Sequence, residues 1–221
     1  MQIIDVQTAE SYLRAAGHLA AGERVTIEAL TGGVSNCVLY VHREEAAGAD
    51  FILKQARERL QVEVPWFCSP ERALQEVAVL EDCRSLLDQS QPPFPPGRLS
   101  ISLPEIIFQD QENFAYAMTA APRDHEVWKS ALLKSRCDPQ IARACGKLLA
   151  LLHARSWQDG GIRERLANRQ FFTDLRIDPY YRYLIPHHAD LAPAIESLID
   201  SLDQQACALV HGDYSPKNLL V

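Results

Sequence analysis

The sequence has no C-x-x-C pair: its six cysteines, Cys37, Cys68, Cys83, Cys137, Cys145 and Cys207, are scattered along 221 residues. That scatter speaks against both a zinc site and a disulfide framework, and reduced thiols are the simpler reading. Lys and Arg form no cluster of the kind that tracks a phosphate backbone, and the formal net charge is -7, so nucleic acid is not an expected partner. No apolar stretch approaches the ~20 residues that span a bilayer. The opening "MQIIDVQTAE" carries acidic residues where a secretion signal needs a basic and then an apolar run. A cytoplasmic protein without membrane contact is expected. Internal repeats are also missing, and the one biased tract, "QPPFPPG" (91–97), reads as a loop. What the chain does have is 47% hydrophobic residues, enough to fill the core of one large or two small domains. Nothing in this composition specifies an oligomeric state.

The runs "RVTIEAL" (24–30), "NCVLYVHR" (36–43) and "FILKQA" (51–56) are rich in β-branched and apolar residues and are separated by glycine-containing turns, which predicts three antiparallel strands. A helix of about four or five turns is predicted over 69–90, with Ser69 as N-cap and Pro70 at the first helical position. "LPEIIFQD" (103–110) and "ENFAYAMTA" (112–120) then read as a hairpin of two further strands. Beyond residue 120 the character turns helical. Asp138 and Pro139 open a helix whose Ile141, Cys145, Leu148, Leu149 and Leu152 share one apolar face, and a second helix is expected within 189–204. The aromatic-rich "FFTDLRIDPYYRYLI" (171–185) between them shows no clear period. The expected class is α+β.

Four features carry chemistry. Glu76 falls inside the apolar arc of its helix, near Ala73, Val79, Leu80, Cys83 and Leu87, whereas Glu71 and Asp82 fall outside it. Lys54, in an apolar strand just before that helix, is the natural partner for a carboxylate in that place. The same two residues also fit a solvated helix edge and an exposed strand face. "LTGGVSN" offers Gly32 and Gly33 for close backbone approach and Ser35 as a hydroxyl donor, suited to covering phosphates, although a plain hairpin turn explains two glycines equally well. The most specific feature is "HGDYSPKN" (211–218), which has the H-x-D-x-x-x-x-N spacing of phosphoryl-transfer loops. There Asp213 would receive the proton of an attacking hydroxyl and Asn218 would offer its side-chain oxygen to Mg2+. Its turn formers also fit an ordinary turn. His211 reads as a supporting residue, Lys217 as solvated, and "NLLV" after the loop as a strand.

In order, these parts are a glycine loop, a strand Lys, a helix Glu, a two-strand connector and "VHGDYSPKNLLV". That order, with "HGD" and an upstream "GKLLALLH" helix, resembles the aminoglycoside phosphotransferase and choline kinase group, which includes methylthioribose and homoserine kinases. The resemblance covers roughly residues 24–221. It implies a protein-kinase-like two-lobe fold: an N-terminal ATP-binding lobe over 1–120, with a five-stranded antiparallel sheet and a helix, and a mostly helical C-terminal lobe over 121–221. By it, Lys54 contacts ATP phosphates, Glu76 holds Lys54, Asp213 is the catalytic base and Asn218 binds Mg2+. Backbone groups of Met118, Thr119 and Ala120 meet the adenine. Asp174, Asp178, Tyr180 and Tyr181 lie where such kinases build the acceptor pocket; the tyrosines fit interhelical packing as well. The family carries a second metal-binding aspartate some 15–20 residues after the Asn, and the sequence ends at Val221. The C-terminal lobe is therefore expected to be incomplete, as a fragment or a natural truncation, with little turnover from these 221 residues alone. The function expected is phosphoryl transfer from ATP to a hydroxyl of a small molecule. The rivals are a catalytically silent nucleotide-binding protein of the same fold and an unrelated α+β domain.

Overall fold

The computed structural model describes residues 1–30, 35–44, 48–60, 63, 65–88 and 100–221. Gly32 and Gly33 lie outside the described residues. The chain divides into two compact units, Met1–Glu81 with Leu103–Arg123, and Asp82–Ser102 with Asp124–Val221.

The first unit is built on five antiparallel strands, β1 (Val25–Ala29), β2 (Asn36–Arg43), β3 (Phe51–Ala56), β4 (Ile106–Asp110) and β5 (Ala115–Thr119), in the order β1-β2-β3-β5-β4. β3 is the middle strand, and every residue of it except Lys54 is buried. A strand covered on both faces explains why "FILKQA" is apolar almost throughout instead of alternating. On one face Leu39, Val41, Phe51, Leu53, Ala115 and Ala117 pack with Ile4, Leu19 and the helix α1 (Ala9–Ala15), which supplies Ala9, Tyr12 and Leu13. On the other face Ala56 and Tyr116 meet Ala73 and Val77 of α2 (Arg72–Asp88), with Ile106, Phe114 and Met118 packed alongside. The turn over 69–71 precedes this helix, since Arg72 N donates to the Ser69 carbonyl at 3.3 Å and Ala73 N to that of Pro70 at 3.0 Å. α2 thus starts at Arg72, later than Pro70.

The sequence pattern did not foresee α1. It is a seven-residue helix, too short to show a period, and polar tethers hold its segment down. The buried amide of Gln55 accepts from Ile4 N (2.9 Å) and donates to the carbonyls of Gln2 (2.7 Å) and Asn113 (2.9 Å). The Tyr12 hydroxyl donates to Asp110 Oδ2 at 2.8 Å.

The second unit is helical. α3 spans Trp128–Leu133, α4 Pro139–Ser156 and α5 Gly160–Arg165. The Asp138 side chain caps α4 by accepting from Gln140 N at 2.8 Å, and Asp159 caps α5 by accepting from Ile162 N at 2.8 Å. Leu148 is buried on the expected apolar face of α4, whose other members are half-buried. Residues 170–191, which show no period in sequence, form a string of short α, π and 3-10 turns, with the π turn at Thr173–Ile177. α6 (Ala192–Gln204) follows. The expected strand "NLLV" is a single bridge: Val127 pairs with Leu220, and Glu126 and Val221 exchange backbone hydrogen bonds of 2.7 and 2.8 Å. Among the described residues no helix is long and apolar enough to cross a membrane.

Because Leu13 is fully buried against the sheet, Leu13→Ala is expected to cost about 2–5 kcal/mol of stability. Urea denaturation measures it, and an unchanged midpoint would mean that α1 contributes nothing to the core.

Candidate active site

Lys54 leaves β3 on the face that carries α2. Its side chain is 15% exposed and that of Glu76 41%. Lys54 Nζ donates to Glu76 Oε1, and the ammonium lies 5.3 Å from the centroid of the Tyr116 ring. The two residues are therefore partners: Lys54 does not lie on an exposed strand face, while Glu76 sits at the helix edge with part of its side chain open to solvent. Asn36 Nδ2 reaches the other carboxylate oxygen at 3.4 Å, and the Tyr116 hydroxyl hydrogen-bonds Glu76 as well. Burial pushes the Glu76 carboxyl up, but Lys54, Tyr116 and Arg72 outweigh it and hold the group below the usual carboxylate range. The Tyr116 phenol is driven far up by burial and by the Glu76 charge, so it stays protonated and donates.

The stripe of α2 turned to the sheet holds Arg72, Ala73 and Val77, all buried, with Glu76 at its half-buried edge, whereas Val79 and Leu80, also half-buried, lie off it. Apolar spacing alone places the arc further round the helix, because one member of the true stripe is an arginine. Directly paired residues share a sheet face. Lys54 pairs with Val38 and Tyr116, while Ile52 pairs with Tyr40 and Met118. Val38, Ile52 and Met118 thus form an apolar strip beside the ion pair; the sequence reading named only Met118, and the strand register is the signal that finds the others. Thr119 closes β5, its N donating to the Glu105 carbonyl at 2.9 Å and its hydroxyl accepting from Glu105 N at 3.0 Å, and Ala120 follows it. The Ser35 carbonyl accepts from Arg57 N at 3.3 Å and from Arg72.

In the second unit, His211 to Asn218 closes on itself. Asn218 Nδ2 donates to the Asp213 carbonyl at 2.8 Å, and Asp213 N donates to His211 Nδ1 at 3.2 Å. The Tyr214 hydroxyl anchors the loop to the Cys145 carbonyl of α4 at 2.8 Å. Gly212 has φ +73°, a left-handed conformation that glycine adopts without steric cost. Lys217, read from the sequence as solvated, bonds Asp213 Oδ2 at 2.9 Å while its side chain stays 52% exposed. Partial burial raises the Asp213 carboxyl, but Lys217, Asn218 and Arg176 bring it below the ordinary value, so it is ionised and able to accept a proton-bearing hydroxyl near neutral pH.

Arg176 was not foreseen. It sits on the π turn and donates through Nε to the Gly212 carbonyl at 2.8 Å, which brings the 170–191 run beside the loop. Such turns are frequent at functional sites. Of the other residues in that run, Asp178 pairs with Arg182 at 2.9 Å, Tyr180 is 59% exposed, Tyr181 is half-buried and Asp174 accepts from Gln170 at 2.6 Å. Lys54, Glu76 and Met118 to Ala120 belong to the first unit, and Asp213, Asn218, Asp178, Tyr180 and Tyr181 to the second. Among the described residues no group of three or more His, Cys, Asp or Glu is placed to hold a metal ion.

The lowered pKa of Glu76 fixes a pH test. An acid whose folded value is depressed stabilises the fold fully above its unfolded value of about 4.3, and that contribution disappears as pH falls through the folded value. Lys54→Met is expected to destabilise the protein at pH 7, by less than the ~3–5 kcal/mol of a fully buried pair because Glu76 is partly exposed. The deficit should shrink below about pH 4 as Glu76 protonates. Urea midpoints of both proteins across pH 3.5–7 measure this, and a gap independent of pH would locate the loss elsewhere.

No curated protein matches the chain. The family model described as the phosphotransferase enzyme family matches residues 26–221, which takes in every strand of the sheet but the first residue of β1, as well as the loop that closes on Asn218. The chain is a member of that phosphotransferase family, with the kinase-like α+β fold that membership implies.

Proposed function

We propose that the protein transfers a phosphoryl group from ATP to a hydroxyl of a small molecule, with a nucleotide-binding lobe over 1–120 and an acceptor-side lobe over 121–221. The observation that carries this reading is the Lys54–Glu76 pair on the covered face of the sheet, because a shielded ammonium held by one carboxylate is well suited to phosphate oxygens. In this reading Val38, Ile52 and Met118 face the adenine ring, the backbone of Met118, Thr119 and Ala120 meets its edge, and Gly32, Gly33 and Ser35 cover the phosphates. Lys54 binds the α- and β-phosphates.

Asp213 accepts the proton of the acceptor hydroxyl and orients it for attack. Because the Asn218 amide nitrogen is used on the Asp213 carbonyl, its side-chain oxygen is the atom left to offer Mg2+. That fits a metal held mainly by phosphate oxygens and water. ATP supplies the phosphoryl group, and the metal neutralises its charge. Asp178, Tyr180 and Tyr181 stand on the run that Arg176 fastens to the loop, and we place acceptor contacts there. All six cysteines are free, which supports a reducing, cytoplasmic setting.

The test separates binding from chemistry. Asp213→Asn should lower kcat by about 10²–10⁴ and leave the Kd for ATP unchanged, whereas Asn218→Ala should weaken Mg-ATP more than metal-free ATP. Acceptors are screened by ATP consumption against a panel of hydroxylated metabolites and aminoglycosides. Near-normal turnover by the Asp213→Asn protein would falsify the role of the base, and ATP binding without turnover against any acceptor would favour a silent nucleotide-binding protein.

A further inference from the structure

Arg72, the first residue of α2, is 6% exposed. A buried guanidinium is costly unless its donors are met. Here Nε is buried without a partner among the described residues, while the two terminal nitrogens are met by backbone carbonyls from three separate segments. Nη1 donates to Cys68 (2.8 Å) and Ser69 (3.0 Å) in the turn before α2, and Nη2 donates to Arg57 (2.7 Å), just past β3, and to Ser35, just before β2. Nη2 also reaches Asn36 Oδ1 at 3.4 Å, while the amide nitrogen of the same Asn36 reaches Glu76 Oε2 at 3.4 Å. Glu76 lies one helical turn beyond Arg72 on the same stripe. One planar cation thus ties together the exit of β3, the entry of β2 and the start of α2. Those are the three segments that carry Lys54, Ser35 and Glu76.

We propose that Arg72 is a positioning residue for nucleotide phosphates: it holds β3 and α2 in the one arrangement in which Lys54 and Glu76 meet, and so presents the ammonium preformed to the ligand. The inference rests on the nucleotide reading above. Its physical core is preorganisation. A guanidinium can bridge carbonyls with divergent donors in one plane, whereas an ammonium is a single point on a flexible stem. Without the fork, Lys54 and Glu76 still sit in the fold but have to be drawn together when the ligand binds, which lowers affinity for the part of the ligand that Lys54 contacts. The adenine end, resting on strand backbone and apolar side chains, has no such dependence.

Calorimetry with Mg-ATP and with adenosine, on the unaltered protein, Arg72→Met, Lys54→Met and the double variant, tests this. Arg72→Met is expected to weaken ATP by about tenfold or more and to leave adenosine within about twofold, and the double variant should bind ATP no more weakly than Lys54→Met alone, because Arg72 acts through Lys54. Arg72→Lys should fall between the parent and Arg72→Met, and it carries the same comparison if the methionine variant does not fold. Equal weakening of ATP and adenosine, or additive losses in the double variant, would overturn the positioning role in favour of general support of the fold. Normal ATP affinity in Arg72→Met would overturn it alone, leaving the nucleotide reading intact. Failure of the unaltered protein to bind either ligand would overturn the nucleotide reading and this inference with it.

Discussion

An ammonium on a covered sheet face has to be answered by a carboxylate, and much of the first unit follows from that demand. Lys54 is the one residue of β3 that is not fully buried, and Glu76 is the group that meets it. To deliver Glu76, α2 must lie across the sheet with Ala73 and Val77 against Ala56 and Tyr116. Those small contacts let the helix come close enough for a side-chain bridge. Tyr116 and Asn36 then complete the coordination of the carboxylate. A hydrophobic pair of equal volume would serve stability about as well. The charge is therefore better understood as a functional commitment of the fold than as a source of cohesion.

Two carboxylates are kept ionised here, in contrasting ways. Glu76 has 41% of its side chain open to solvent but is bound from several sides, by Lys54, Tyr116 and Asn36, so it keeps its partner. Asp213 meets Lys217 across an ion pair that water reaches from both ends, and exposed pairs of this kind are worth only about 0–1 kcal/mol. Such a partner is readily displaced. The backbone around Asp213, by contrast, is fixed by Asn218, His211, Arg176 and the Tyr214 anchor on α4. The loop thus combines a fixed backbone with a lightly held carboxylate.

Strands, long helices and the loop were legible in the sequence because each follows a local rule: β-branched runs, 3.6-residue periodicity, or a fixed spacing of Asp and Asn. Lys54 and Glu76 could be paired from pattern because two charges stood among apolar neighbours. Arg72 could not, since an arginine one turn before a glutamate reads as an ordinary solvated helix end, and only the convergence of carbonyls from three segments, two of them distant in sequence, reveals its burial. Arg176 was hidden for a related reason. A π turn shifts the helical phase, so a 3.6-residue template applied to 171–185 returns no face at all. α1 escaped notice because seven residues tethered by Gln55 and Asp110 owe their place to partners far along the chain.

The first unit ends at Arg123, and apart from 82–102 all residues up to that point belong to it. Synthesis runs from the N-terminus at about 5–20 residues per second. The interval between the addition of Arg123 and that of Asp213 is then roughly 5–20 s, which is long compared with the milliseconds to seconds in which small mixed domains fold. The sheet, its two covering helices and their ion pair thus have time to assemble on the ribosome before the carboxylate of the loop has been made.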